Sequence, residues 1–293
     1  MGLAEVFTHA TVHLNNLSLV EIQHTMKNNI FLVVTSLMLL ISCSKDKGNN
    51  DPPKAEKGEL LRRIEWDIFS STGDVKYNTD STLQKILYTN PTRNTEVNFT
   101  YDNKKRVTKI NSPELGRYAD YIYDDKNRIT QIGFGSNYPG SIIYLEFTYN
   151  AANRVKQLEY RIVNEAGTKV QWTSDYEYNA EGLLSKVVST SANGSSVTYT
   201  LENYSEACTF NPFVFIQTLD VGERYELYNY PIVSQMNKFP GKVTKTSSTS
   251  GAVESITEST YTIQNKRLNK TDVKITYPQS SQSNTQYEIK YFY

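Results

Sequence analysis

Apolar side chains recur at every second position over short stretches of this chain, stop at a polar tetrad, and then resume. The clearest instance is FTYDNKKRVTKI, Phe99 to Ile110. It returns as YIYDDKNRITQI at Tyr121–Ile132, FTYNAANRVKQL at Phe147–Leu158 and YEYNAEGLLSKV at Tyr176–Val187. Tyr101, Tyr123, Tyr149 and Tyr178 correspond, and two residues before each stands Phe99, Tyr121, Phe147 or Tyr176. An i, i+2 spacing puts both rings on one face of a strand. Val107, Ile129, Val155 and Leu184 then open a second apolar run, continued by Ile110, Ile132, Leu158 and Val187.

The tetrads between the two runs carry turn chemistry. They read Asp102-Asn103-Lys104-Lys105, Asp124-Asp125-Lys126-Asn127, Asn150-Ala151-Ala152-Asn153 and Asn179-Ala180-Glu181-Gly182. Asp or Asn at the first place can accept a bond from the backbone two residues on. Asn or Gly at the fourth tolerates positive φ, as a type I turn followed by a left-handed residue requires. Lys105 departs from this pattern and is expected to strain its turn slightly. Each repeat is thus a strand, a tight turn and a return strand.

A weaker copy precedes the four at Tyr77–Ile86, and a shortened one follows at Tyr261–Leu268. Successive tyrosines from Tyr77 to Tyr178 are 24, 22, 26 and 29 residues apart, which leaves loops of variable length at the far end of each hairpin. A chain of hairpins predicts an all-β fold, an antiparallel meander. Tyr204–Lys238 interrupts it. There Asn211 and Pro212 suit a helix start, and a short helix or turn is expected over Phe213–Leu219, ending by Gly222. Strands resume in GKVTKTSS, AVESITESTYTI, DVKITYP and TQYEIKYFY. The expected total is fourteen to sixteen strands, enough for a barrel with a wide lumen. Hydrophobic residues, at 38%, are too few to fill one. A flattened barrel, or a strongly curled sheet packing on itself, is therefore expected, water-soluble and apolar on its inner side.

Composition supports the β reading. Tyrosine dominates the aromatics, with 22 against 11 Phe and 2 Trp, and it is both a strand former and amphipathic. Formal net charge is zero, which removes the basic surface that nucleic-acid binding needs.

The start of the chain carries a leader. From Met26 come Lys27, an apolar run from Ile30 to Ile41, and Ser42 before Cys43, the proportions of a secretory signal over 26–42. The run is too short to span a bilayer. Leu40-Ile41-Ser42-Cys43 resembles a bacterial lipobox, which implies cleavage before Cys43 and acylation of that residue, a stable membrane anchor. Residues 1–25 hold Glu5 and Glu21 but no Lys or Arg, so translation is expected to start at Met26. Residues 43–57 are polar, with Pro52-Pro53, and read as a flexible tether. One repeat domain is expected over 58–293, with 204–238 as its irregular insertion.

Cleavage would remove His9, His13 and His24, all the histidines of the chain. That excludes catalytic triads and dyads built on imidazole and imidazole metal sites; no metal or other cofactor is expected. It would leave charge nearly balanced, with Lys plus Arg falling from 31 to 30 and Asp plus Glu from 31 to 29. Cys208 would then have no partner within the chain and is expected to be a buried small hydrophobe. Asp124-Asp125 falls in a turn and is expected to be solvated.

The Y-x-Y-D-x-x-x-R-[VI] core resembles YD (Rhs-type) repeats. With its lipobox, the chain from about residue 60 to 293 resembles a lipoprotein family of Bacteroidota with a porin-like fold. The resemblance implies architecture and an envelope location, with the outer membrane as the expected site, and it carries over no catalytic residue. Two function classes remain. The first is a non-enzymatic, lipid-anchored binding or scaffold module for a glycan or an envelope protein. Trp66 and Trp172, which lie outside the repeat core, and Tyr228 and Tyr230, in the insertion, are its expected ligand contacts. The second is a glycan-active enzyme with paired carboxylates drawn from Glu146, Glu159 and Glu177. An integral outer-membrane barrel is the alternative architecture, since QYEIKYFY alternates and ends on an aromatic residue.

Overall fold

The structure, a computed structural model, describes residues 60–68, 70–136, 142–209, 227, 229–280 and 282–293. The leader, Cys43, the tether, the expected helix over Phe213–Leu219 and Tyr228 lie outside them.

Sixteen strands follow in order: β1 (Arg63–Trp66), β2 (Ser71–Tyr77), β3 (Leu83–Asn90), β4 (Arg93–Tyr101), β5 (Val107–Ser112), β6 (Arg117–Tyr123), β7 (Ile129–Ser136) and β8 (Ile142–Tyr149). The second half holds β9 (Val155–Asn164), β10 (Gly167–Tyr178), β11 (Leu184–Ser191), β12 (Ser196–Tyr204), β13 (Pro240–Ser247), β14 (Val253–Gln264), β15 (Arg267–Thr276) and β16 (Thr285–Phe292). Every strand pairs antiparallel with its sequence neighbours, and β1 pairs with β16 to close the barrel. A four-residue helix, α1 (Tyr230–Val233), lies in the insertion between β12 and β13.

The turns are those the tetrads call for. Lys105, Asn127, Asn153 and Gly182 have φ of 60°, 61°, 59° and 83°. Each follows a bonded turn, as in Lys105 N–H to Asp102 O at 3.0 Å and Gly182 N–H to Asn179 O at 2.9 Å. The first residue anchors the loop: Asp124 Oδ1 accepts from the amides of Lys126 and Arg128, and Asn150 Oδ1 from those of Ala152 and Arg154. A bulge falls just before the tyrosine in all four copies. The shortened copy has only Asn265 and Lys266 at its turn, with φ of 52° and 59°. Two consecutive left-handed residues make a two-residue hairpin turn.

These geometries predict the response to substitution. Asn127→Val and Gly182→Val should each lower stability by about 1 kcal/mol or more, because β-branched residues resist positive φ. Lys105→Gly should be neutral or stabilising. It relieves the backbone and loses only an exposed ion pair to Asp80 (3.0 Å, side chains 52% and 42% exposed), of a kind worth little. Urea denaturation of the three variants checks the assignment.

Alternation sorts the wall into two faces. Inward stand Ile64, Val75, Ile86, Val97, Phe99, Ile110, Ile132, Leu145, Phe147, Leu158, Val187, Tyr199 and Ile289, all buried. A round barrel of sixteen strands would hold water. Burial of this extent, with Tyr199 at 1% and Leu145 at 1%, means that the inner faces pack on one another in the flattened form. Outward stand charges in ion pairs across and along the strands: Lys85 with Glu96 (2.6 Å), Lys109 with Asp120 (3.4 Å), Lys186 with Glu177 (2.9 Å), and Lys270 with Asp272 and Glu288 (2.9 and 3.1 Å). A Lys or Arg facing lipid at mid-bilayer costs roughly 2–4 kcal/mol. This wall is therefore a water-facing one, and the integral-membrane alternative is set aside on that ground.

Candidate functional site

The barrel has two unlike ends. At the tight-turn end every even-numbered strand finishes on or near a tyrosine whose hydroxyl reaches back to a main-chain carbonyl of the preceding strand's start. Tyr77 donates to Leu61 O, Tyr101 to Leu83 O and Tyr123 to Val107 O, each at 2.8 Å. Tyr149 donates to Ile129 O, Tyr178 to Val155 O and Tyr204 to Leu184 O. Tyr261 and Tyr293 complete the ring with Pro240 O and Leu268 O. Desolvation raises the pKa of Tyr77, Tyr178 and Tyr293, so these hydroxyls stay protonated and donate.

The arginine of the motif reaches the other way, to the next hairpin. Arg106 pairs with Asp102 (2.7 Å), lies 4.4 Å from the Tyr123 ring centroid and donates to Asn127 Oδ1 (2.9 Å). Arg128 repeats this with Asp124, Tyr149 and Asn153. Arg154 lies over Tyr178 and fills the space that a Cβ at Gly182 would need. The tyrosine thus ties each hairpin to the strand behind it, and the arginine to the turn ahead. The repeat is a lattice, and its polar residues are used up within it.

The lattice is sensitive to acid. Burial pushes Asp102 up, but bonds from the Arg106 backbone and guanidinium outweigh it and hold the carboxyl below the usual range; Asp124 is held down the same way by Arg128. Thr82 and Lys105 hold Asp80 down at about 2. A carboxyl depressed by folding stabilises above its unfolded pKa, roughly 3.9 for Asp, and loses that contribution as pH falls through the folded value. The described residues hold no histidine. The melting temperature should therefore be flat from pH 8 to 5 and fall below pH 4. Asp102→Asn should shallow that acid limb in thermal melts.

The insertion covers the same end. Thr209 N–H bonds Lys266 O (2.9 Å), Gln235 Nε2 donates to Asn153 O (3.2 Å), and Asn229 Nδ2 donates to the Tyr176 hydroxyl (3.2 Å). Leu227, Ile232, Val233 and Phe239 are buried with the barrel core. Cys208 is buried as expected, its thiol pushed up to about 11 by desolvation first and then by Glu206.

The opposite rim carries the loops of variable length. Small hydroxyl residues line the inner wall below it, including Ser71, Thr95, Ser112, and the bonded pair Ser174–Ser189 (3.1 Å). Trp172 sits here, half-buried and stacked on Tyr160 with ring centroids 5.0 Å apart and planes at 22°; burial raises the Tyr160 hydroxyl to about 12. Trp66 is 8% exposed and tilted against Tyr88 at 5.9 Å, and it ends β1 at this same rim. Tyr230 opens α1 in the insertion at the other end.

The suggested carboxylates lie on the outer wall. Glu146 stands directly opposite Glu159, and Arg161 contacts both; Glu177 pairs with Lys186.

A closed antiparallel barrel of sixteen strands, with a solid interior and a charged exterior, is the class this fold defines. The chain is similar in fold to a porin-like protein from Bacteroides uniformis ATCC 8492, at 14% identity over 80% of this chain and 97% of that one, with a TM-score of 0.50. A porin-like protein from Bacteroides vulgatus ATCC 8482 matches at 10% identity over 80% of this chain and 98% of that one, with a TM-score of 0.45. No family model and no curated protein sequence matches the chain.

Proposed function

We propose that this chain is a lipid-anchored, non-enzymatic envelope protein whose barrel is a rigid scaffold for a binding surface. The observation that carries the proposal is the inverted wall. With charges outside and apolar side chains packed inside, the barrel has neither a lipid-facing surface nor a water-filled bore. It is a body to be anchored, and Cys43 is the anchor that the lipobox supplies. The porin-like proteins of Bacteroides that share the shape accord with an envelope location, and the leader sequence with export to it.

Binding is the function left to such a body. The motif residues are engaged in one another, whereas the variable loops are rich in Ser, Thr, Asn and Gln, as in TSANGSS and SSTSGA. Neutral hydroxyl and amide groups beside the Trp172–Tyr160 stack suit a polyhydroxyl partner, a glycan, better than a charged one. Cys43→Ala should leave the precursor uncleaved and unacylated; normal processing of that variant would sink the anchor reading. A glycan array probed with the purified protein should give hits that weaken with Trp172→Ala, Tyr228→Ala or Tyr230→Ala. Glycan cleavage lost on mutation of a single Glu would replace the binding module by an enzyme.

A further inference from the structure

The outer wall from β6 to β10 breaks the charged pattern. On β7 the two outward positions nearest the loop rim are Gly133 and Gly135. Tyr118, opposite Gly135 on β6, leans over β7 so that its ring end and hydroxyl occupy the place of the missing Cβ. Tyr144, opposite Gly133 on β8, packs its ring edge 3.1 Å from the corresponding point. The two rings therefore converge on one strand from both sides, and Gly133 is buried beneath this outer covering.

Ile142 and Val170, 36% exposed each, flank the rings, and Ile122, 52% exposed, stands opposite Gln131 toward the tight-turn end. Ile142 faces Val163, and the cross-strand row Asp120, Gly133, Tyr144, Arg161, Val170 runs through the patch. Polar planar groups border it on the tight-turn side: Gln131 donates to Glu146 (3.2 Å), and Arg161 ties Glu146 to Glu159. Lys109 lies over Tyr118 at 4.3 Å and pairs with Asp120.

We infer that this face is a glycan-binding platform, resting on the binding-module reading above. Glycine under each tyrosine fixes the ring against the wall at little conformational cost, as glycine–aromatic pairs do in sheets. The rings meet β7 at positions two residues apart, roughly 7 Å; the face of Tyr118 that Lys109 leaves open and that of Tyr144 can meet the C–H faces of pyranose units along a chain. Amide, carboxylate and guanidinium groups at the border supply hydroxyl partners. The border cations and anions compensate one another, which suits a neutral chain over an acidic one, and a continuous wall suits an extended chain over a chain end.

The test uses the full-length protein in detergent, with cellohexaose, xylohexaose and chitohexaose titrated by calorimetry. At least one should bind, and Tyr118→Ala and Tyr144→Ala should each weaken it by about tenfold or more, the scale of one lost stacking contact. Tyr144→Leu keeps Gly133 covered and guards against mere unfolding; it should weaken binding as Tyr144→Ala does, with an unchanged melting temperature. Binding that survives the Tyr118→Ala/Tyr144→Ala double variant, or that is lost only with Trp172→Ala, overturns the platform and leaves the binding module standing. If no hexaose binds, the platform fails. If the same substitutions instead split a dimer in sedimentation, the face belongs to a second copy of this chain.

Discussion

Tyr149→Ala should destabilise the barrel by about 3 kcal/mol or more, the lower end for truncating a large aromatic side chain. The residue packs against the core, donates to Ile129 O and carries Arg128 on its ring. Removing it opens a cavity at the rim, strands a main-chain carbonyl and frees the guanidinium that joins two turns. Tyr149→Phe isolates the hydroxyl and should cost about 1 kcal/mol. Urea denaturation of both variants separates the ring from its bond. Equal, small losses in the two would mean that the ring of tyrosines is ornament and the hairpins hold themselves.

Gly241→Val should be nearly as damaging, for a different reason. Gly241 stands opposite Asn203 in the β12–β13 pairing, and Asn203 has a φ of 56°. A Cβ at Gly241 would run into the backbone carbonyl oxygen of Asn203. Backbone cannot swing aside as the end of Arg154 can beside Gly182, so overpacking by about 1–3 kcal/mol is expected. The cost falls where β12 meets β13, the pairing that must form across the long insertion. Thermal melts should show the variant well below Gly182→Val; the reverse order would place the strain in the turns.

Four hairpins were legible because their constraints are local. A left-handed residue, an anchoring Asp or Asn, and an aromatic pair two residues apart all lie within twelve positions. Tyr204 and Tyr293 do the same work but were hidden. Tyr204 follows the left-handed Asn203 with no repeat tetrad after it, and Tyr293 lies outside the repeated motif. Only the recurring bond to a carbonyl across the neighbouring strand identifies them. The platform was illegible for a related reason. Gly133 and Gly135 alternate on a strand, which sequence can show, but Tyr118 and Tyr144 come to lie over them through register across β6, β7 and β8.

Closure has a consequence for how the molecule comes into being. Of its sixteen strand pairings, fifteen join sequence neighbours and one joins β1 to β16. The local pairings can accumulate in order as the chain emerges, each fixing the next through its tyrosine and arginine. The last cannot begin until Thr285–Phe292 exists, and it brings together groups as remote as Glu288 N–H and Asp67 Oδ1, 221 residues apart. In an unfolded chain, closing so long a loop costs about 2 kcal/mol more than closing a hairpin of some twenty residues. Until then the sheet has two unpaired edges, each a template for a foreign strand. The final eight-residue strand therefore acts as a zip end, and a chain truncated before it should be lost to aggregation while most of its hairpins are correctly formed.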